Sequence, residues 1–433
     1  MHPSPPATPV PGGDVADPTA KPRVVVPALD GFRGLAALTV VLYHVVYGAG
    51  LPQLGNGSLR DVFMSGYMGV DFFFVISGFV LFLPTVLAHG RFGSVRAYGI
   101  RRAARIIPAY YVVLVAVVVL QPLLSKSDTP LPWDGGAGAF SFLLHLSFLQ
   151  HSLGLLRGYP EGFLVMGVVW TLTLEAMFYV VLPLVASWYF RHPIVGFFIA
   201  LAASMVWRLT VVHASFTVGW LPATASPNLL RLILVTQFPT FLAQFAAGMT
   251  AAWLFVRWRT AQQRWVPWAA VGAQVVAAVT IVWRMRSAGL RDMTATNGTY
   301  SHWTATLPIA LAFGVLMLAT VLAPRWAQSP VANRASRGLG DISYGVYLWH
   351  LLIIGFVVTT VGFDPNRTTG AFLTLFAVTL GGSLVLATLS LVFVERPCIR
   401  WARRCSRRIE RSSRPRGDTV GEPVEVVTPA NAW

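Results

Sequence analysis

The chain has 433 residues, of which 55% are hydrophobic and 12% are charged, and its formal net charge is +16. This composition, with long apolar stretches recurring along the chain, is typical of a polytopic membrane protein. The positive charge lies in short loops beside the apolar stretches and in a C-terminal run. That distribution is usual for membrane proteins and argues against nucleic-acid binding.

Apolar windows of about 20 residues, the length that crosses roughly 30 Å of hydrocarbon, recur ten times along the chain. They lie near residues 35–53, 68–88, 105–124, 163–189, 194–212, 232–256, 265–283, 303–323, 342–361 and 370–394. The predicted fold class is therefore all-α, a polytopic integral membrane protein with about ten transmembrane helices.

The stretch AFSFLLHLSFLQHSLGLL at residues 139–156 is apolar but short and polar-substituted, so it is interpreted as interfacial or re-entrant. Leaving it out places the most basic loops on one face of the membrane, which predicts that both termini are cytoplasmic. Residues 1–26 are Pro-rich and are predicted to be a disordered cytoplasmic arm. Residues 27–397 form the predicted membrane domain, and residues 398–433 a basic, partly disordered cytoplasmic tail.

The first predicted helix, LDGFRGLAALTVVLYH, carries an arginine and a histidine at membrane depth. Arg33 and His44 are eleven positions apart, which on an α-helix places their side chains within roughly 20° of each other and about 16 Å apart along the axis. Intramembrane ionisable groups are costly and indicate function. The spacing predicts an arginine at the cytoplasmic boundary below a histidine near the midplane.

Glu175 in WTLTLEAMFY and His350 in SYGVYLWH fall near the same depth on two other predicted helices. A carboxylate and two imidazoles at one depth could form a proton-transfer site, because histidine titrates near neutrality. The alternative for His350 is a hydrogen bond that only joins helices.

Other polar residues in or beside the predicted spans have structural interpretations that do not require a role in catalysis. Asp71 lies near the outer end of its span, where solvation alone could explain it, and Ser77 could bond to a carbonyl of its own helix. Arg208 lies near a span end and is predicted to snorkel to the interface. Arg102 and Arg105 in RRAARIIP are three apart at a helix start and could clamp phosphate groups, although a basic loop is also the ordinary topology signal.

Known site motifs give no further signal. Cys398 and Cys405 lie in the basic tail without histidines at metal-ligand spacing, and no Gly-rich phosphate loop or Gly-x-Ser-x-Gly elbow occurs. The sequence therefore predicts no metal site.

Several segments together resemble the acyltransferase-3 family of membrane acyltransferases. They are LDGFRGLAALTVVLYH, GVDFFFVISGF, RRAARIIPAYY, WTLTLEAMFY, SYGVYLWH and VERP, and the resemblance covers about residues 28–397. It implies a ten-span core that moves an acyl group, expected to be acetyl, from cytoplasmic acyl-CoA to a hydroxyl of a sugar-containing acceptor. Acyl-CoA would be a co-substrate, with no permanently bound cofactor. Some relatives carry an added soluble hydrolase-like domain, for which the basic tail is too short.

The resemblance implies that His44 is the catalytic histidine and Arg33 its partner, with Arg102 and Arg105 forming a basic pair that we expect to bind the donor. His44 would act as general base, and Glu175 would orient or charge-stabilise its imidazole. Candidate substrate-binding or supporting residues complete the set: Asp30, Tyr43, Asp71, Ser77, Trp170, Tyr344 and His350.

Two other classes of protein remain open from the sequence. A transporter or flippase of a lipid-linked or sugar substrate would also place polar groups at the midplane, but no internal repeat is seen. A haem-binding membrane protein could use His44 and His350 as axial ligands. The predicted location is the bacterial cell membrane, with envelope glycans or glycosylated metabolites as candidate acceptors.

Overall fold

A computed structural model describes residues 23–49, 62–124, 135–153, 167–213, 233–261, 263–286, 300–364, 368–412 and 425–427. These residues are almost entirely helical, as predicted. In chain order the helices are α1 (Ala28–Ala49), α2 (Gly69–Leu87), α3 (Val95–Leu124), α4 (Gly135–Leu146), α5 (Gln150–Leu153), α6 (Trp170–Arg191), α7 (Pro193–His213), α8 (Leu242–Ala261), α9 (Val266–Met285), α10 (Tyr300–Leu322), α11 (Arg325–Ala332), α12 (Arg334–Gly355), α13 (Thr369–Ser390) and α14 (Arg396–Ser412).

Short irregular elements join or extend these helices. Two 3₁₀ turns, Gly66–Met68 and Phe238–Phe241, precede α2 and α8, and two π-helical turns, Phe356–Thr360 and Leu391–Glu395, follow α12 and α13. Strand β1 (Arg23–Val25) pairs in parallel with β2 (Glu425–Val427). Of the predicted disordered arm, residues 1–22 lie outside the described part of the chain, whereas its last residues form β1 and the buried Val26.

The ten predicted transmembrane windows all fall on long helices. Within the described residues, nine helices are long and apolar enough to span a membrane, or ten if α10 and α11, bent by 119°, count as one span. The protein is therefore a multi-pass membrane protein. The segment predicted not to cross forms α4 and α5, and a 12-residue helix such as α4 rises only about 18 Å, too little to cross the hydrocarbon.

Two helices begin at a local capping signal. Asn333 accepts a hydrogen bond from the Ser336 amide at the start of α12, and Thr368 accepts one from the Ala371 amide at the start of α13. Side-chain oxygens at these cap positions satisfy amide groups that have no partner in the first helical turn.

The spans differ in burial, and this difference positions the site. Helices α1, α2 and α8 are the most buried, whereas α7 and α9 are the most exposed. Helix α1 packs closely along α12, and α2 packs closely along α8. Glycine allows the α1–α12 contact, because a Cβ at Gly340 would overlap the carbonyl oxygen of Asp30. The candidate histidines therefore lie on two helices whose backbones touch.

Arg208 does not snorkel, contrary to the prediction. Its side chain is only 2% exposed, one guanidinium nitrogen donates to the Thr240 carbonyl at 3.1 Å, and it interacts electrostatically with Asp71. Burial follows from packing, because α7 lies against the turn before α8 and encloses the guanidinium beside a carboxylate.

Candidate active site

Helix α1 runs without interruption from Ala28 to Ala49, so the predicted register between Arg33 and His44 holds. Neighbouring positions on the helix such as Val40 and Val45 are fully buried. Arg33 and His44 are instead partly exposed although they belong to one of the most buried helices. The shared face of α1 is therefore less tightly enclosed at these two positions than at their neighbours.

His44 is paired with His350 of α12. The Nδ1 atom of His44 lies 2.9 Å from the Val40 carbonyl oxygen and 3.3 Å from Nε2 of His350. Nδ1 of His350 lies 2.8 Å from the Tyr347 carbonyl oxygen, and the two ring centroids are 5.0 Å apart. The structure thus brings together the two imidazoles that the sequence placed at one depth.

This network assigns the proton positions. A carbonyl oxygen only accepts, so each Nδ1 carries hydrogen, and Nε2 of a neutral His350 is left as an acceptor for the His44 Nδ1–H. The same assignment leaves Nε2 of His44 with a lone pair and no hydrogen-bond partner among the described residues. His44 is therefore prepared to accept a proton at Nε2.

Only one of the two histidines is accessible. His350 is fully buried, with 0% exposure, while His44 is partly exposed. A hydroxyl group from a ligand can therefore approach His44 directly. His350 affects such a ligand only through its hydrogen bond to His44.

Glu175 does not support His44 in the way the sequence suggested. Its Oε1 atom accepts hydrogen bonds from Tyr179 at 2.6 Å and from Ser77 at 3.2 Å, and among the described residues it bonds neither imidazole. Ser77 correspondingly bonds across to α6 and does not bond to its own helix. The reason is packing, since α2 and α6 are in contact at this level.

Glu175 nevertheless lies between the two parts of the site. It interacts electrostatically with Arg33 and with Tyr347, the residue one turn before His350. Its negative charge therefore partly offsets the charge of Arg33 on the side of the site that faces Tyr347.

The three predicted donor-binding arginines have different surroundings. Arg33 and Arg102 make no hydrogen bond or ion pair with a described residue, and Nε of Arg102 is buried without a partner. Arg105 donates to Glu395 at 3.1 Å, a carboxylate that is 1% exposed, and its guanidinium lies 5.9 Å from the centre of the Tyr344 ring. Arg33 and Arg102 are thus free to bind an anion, whereas Arg105 is already neutralised.

Three supporting candidates lie beside this site. Asp30 is fully buried near Arg33, and neither carboxylate oxygen has a hydrogen-bond partner among the described residues. The Tyr43 ring packs edge-on against His44. Tyr344 donates its hydroxyl to the Ile106 carbonyl at 2.8 Å, which joins α12 to α3.

Asp71 and Trp170 are placed elsewhere. Asp71 is 5% exposed and accepts a 2.6 Å hydrogen bond from Gln244 of α8, so the solvated interpretation is wrong. Trp170 packs against the His151 ring, at the junction of α5 and α6. Described contacts connect neither residue directly to His44.

Three residues of the site were missed by the sequence reasoning. Tyr179 follows Glu175 by four residues and Tyr347 precedes His350 by three, spacings at which helical side chains are neighbours. The signal for both was therefore present. Glu395 belongs to the VERP segment, but no local sequence signal predicts its pairing with Arg105, which lies 290 residues earlier.

The haem alternative conflicts with this geometry. Axial ligands must face each other across the macrocycle, whereas the His44 and His350 rings are in direct contact and His350 bonds its Nε2 to His44. A haem macrocycle therefore does not fit between the His44 and His350 rings.

Known proteins support the resemblance. Peptidoglycan O-acetyltransferase OatA of Listeria monocytogenes is 25% identical over 386 residues, 87% of this chain but 56% of OatA, so the chain spans little more than half of that relative. The putative membrane-bound transacylase BcsY of Komagataeibacter xylinus is 28% identical over 74% of this chain and 71% of BcsY. The exopolysaccharide production protein ExoZ of Rhizobium meliloti is 29% identical over 79% of this chain and 92% of ExoZ.

No solved structure matches the chain. A family model described as an acyltransferase domain matches residues 26–388, which include Arg33, Glu175 and both histidines. This favours an enzyme over a transporter. Because the match covers most of the chain, the protein belongs to the acyltransferase-3 family of membrane acyltransferases.

Proposed function

We propose that the protein is an O-acyltransferase that moves an acyl group, in the first instance acetyl, from acyl-CoA to a hydroxyl of a sugar-containing acceptor. The observation that carries this proposal is His44, which is accessible, has an unpartnered Nε2, and is held at Nδ1 by Val40 and His350. A general base needs this combination of an open lone pair and a fixed ring.

The acceptor class comes from the relatives. One relative is named for O-acetylation of peptidoglycan and another for exopolysaccharide production. Envelope or surface glycans, and glycosylated metabolites, carry the hydroxyl groups that such chemistry modifies. We therefore propose a sugar hydroxyl as the nucleophile.

The donor would bind at the arginine end of α1. Arg33 and Arg102 form no ion pair with a described residue, and guanidinium groups bind phosphate through paired hydrogen bonds. Arg33 is about 16 Å below His44 along the helix axis, a distance that the pantetheine arm would cover. With both termini cytoplasmic, this end would face cytoplasmic acyl-CoA.

In the proposed reaction, Nε2 of His44 accepts the hydroxyl proton while the hydroxyl oxygen attacks the thioester carbonyl. The C–S bond then breaks, and the departing CoA thiolate receives the proton from the imidazolium. During this cycle the positive ring donates its Nδ1–H to the Val40 carbonyl and to Nε2 of His350. His350 is thus a positioning residue that stabilises the imidazolium.

The test is acyl transfer in reconstituted vesicles supplied with acetyl-CoA and a glycan acceptor. Loss of a general base lowers the rate by about a hundredfold to ten-thousandfold, so His44→Ala should nearly abolish transfer while CoA binding is retained. His350→Leu should lower kcat by about tenfold to a hundredfold, the effect of losing one hydrogen bond to a charged group. His350→Gln, which keeps an acceptor oxygen, should recover part of that loss.

His192→Ala is the matched control, because His192 is exposed at the end of α6. It should transfer acyl groups at the normal rate. Near-normal transfer by His44→Ala would refute the general-base assignment. Equal losses for His350→Leu and His350→Gln would show that His350 serves packing alone.

A further inference from the structure

A second basic site lies apart from the acyl-transfer site. A crevice of about 430 Å³ opens where α8 ends and α9 begins. Its walls are mostly apolar, and two arginines stand at its edge. Its lining includes Phe255, Val266, Val321, Leu322, Arg259 and Arg264. Its size is that of a small-molecule site.

Three helices form most of this crevice. Helices α8 and α9 both pack closely against α10 but scarcely touch each other. The gap between them is therefore floored by α10, through Val321 and Leu322, and Val26, Pro27 and Gln328 complete its lining. The crevice thus lies beside the ends of three predicted membrane spans.

The arginines of the crevice are uncompensated. Arg259 stacks on the Phe255 ring at 5.8 Å, and neither Arg259 nor Arg264 forms an ion pair with a described residue. The lining residues include no aspartate or glutamate. Two guanidinium groups beside an apolar cleft, with no acidic partner in the described part of the chain, match a ligand with an anionic head and an apolar body.

Exposed tryptophans place the crevice mouth at the membrane interface. Trp265 and Trp268, at the start of α9, are 61% and 67% exposed, and Trp258 of α8 lines the crevice at 37% exposure. Tryptophan is enriched at the level of lipid headgroups. A soluble nucleotide would instead be held by a predominantly polar wall.

We infer that this crevice binds the headgroup of an anionic phospholipid. The phosphodiester lies between Arg259 and Arg264, and an acyl chain follows the apolar gap between α8 and α9. Basic pockets between transmembrane helices bind anionic headgroups in this way. Arg33, Arg102 and Arg105 do not line the crevice, so this site is separate from the donor site and its existence does not depend on the proposed acyl transfer.

The full-length protein in detergent is titrated with phosphatidylglycerol, and bound lipid is resolved by native mass spectrometry. The wild type should bind one phosphatidylglycerol more tightly than phosphatidylcholine. Arg259→Gln/Arg264→Gln should weaken that binding about tenfold to thirtyfold, as expected for losing two headgroup contacts. Gln263→Trp, which fills the mouth without changing charge, should weaken it too.

Arg407→Gln/Arg408→Gln removes the same charge from exposed positions of α14 and should leave the binding unchanged. Inorganic phosphate and CoA are added as competitors, and neither should displace the lipid. Equal binding by wild type and the Arg259/Arg264 variant would overturn the inference. So would an equal loss in the α14 control, equal affinity for phosphatidylcholine, or displacement by phosphate or CoA.

Discussion

Arg102 and Arg105 are equivalent in the sequence, three residues apart at the start of one helix, yet their environments differ. Arg105 is 14% exposed and paired with the buried Glu395, whereas Arg102 has no partner among the described residues. A buried ion pair is strongly destabilised by removal of one partner, because the other charge is left without compensation. The two arginines should therefore fail in different ways when substituted.

Arg102→Gln should weaken CoA binding with little change in thermal unfolding, because it removes a free cation. Arg105→Gln should instead destabilise the protein by about 3–5 kcal/mol, because it leaves the Glu395 carboxylate buried and unpaired. Thermal unfolding and CoA titration of the purified variants measure both effects.

The double variant Arg105→Gln/Glu395→Gln is the control, since it removes both charges and should recover most of the stability. Equal stability of the two single variants would contradict the assigned pairing. Unchanged CoA affinity in Arg102→Gln would contradict the proposed donor site.

At the scale of elements, the contact between α1 and α12 sets the distance between the two histidines. Gly340 touches the backbone of α1 at Asp30, and ten residues further along α12 lies His350. A side chain at position 340 must push the helices apart, since the opposing atom is a backbone oxygen that cannot rotate away.

Gly340→Ala should therefore lower acyl transfer by about tenfold or more through loss of the imidazolium hydrogen bond, and should lower the unfolding temperature. Gly338→Ala is the matched control, because a Cβ there meets nothing within 4 Å. Activity and thermal unfolding of the two variants are compared directly. Normal transfer by Gly340→Ala would show that the histidine pair does not depend on this contact.

For the whole molecule, orientation in the membrane follows from the basic loops. Arginines cluster in the first turns of α3, from the end of α8 to the start of α9, and around α11. Helices α4 and α5 are too short to cross, so we expect the chain to continue from the same face after them. This count places the clusters together and predicts cytoplasmic termini.

Reporter fusions after residues 138 and 160 should give the same, external location, because the greater part of α4 and all of α5 lie between them and are too short to cross. A fusion after Arg264 should report the cytoplasm. Opposite locations for the first two fusions would mean that the segment spans and that the topology of all later helices is reversed.

The sequence by itself determined the helical fold class, the approximate number of spans and the register of Arg33 and His44 on α1. Hydrophobic length and helical rise are properties of continuous stretches, so they can be obtained without tertiary contacts. The same local geometry indicates Tyr179 and Tyr347, because their side chains lie one helical turn from Glu175 and His350.

Only the tertiary structure decided which groups meet. His350 rather than Glu175 holds His44, Glu395 neutralises Arg105 but leaves Arg102 free, and Arg208 is enclosed and does not snorkel. The His44–His350 pair joins residues 306 positions apart, and the Arg105–Glu395 pair joins residues 290 apart. Such pairs depend on which faces of separate helices pack together. Those contacts result from close packing of the whole bundle, so no single segment of the sequence predicts them.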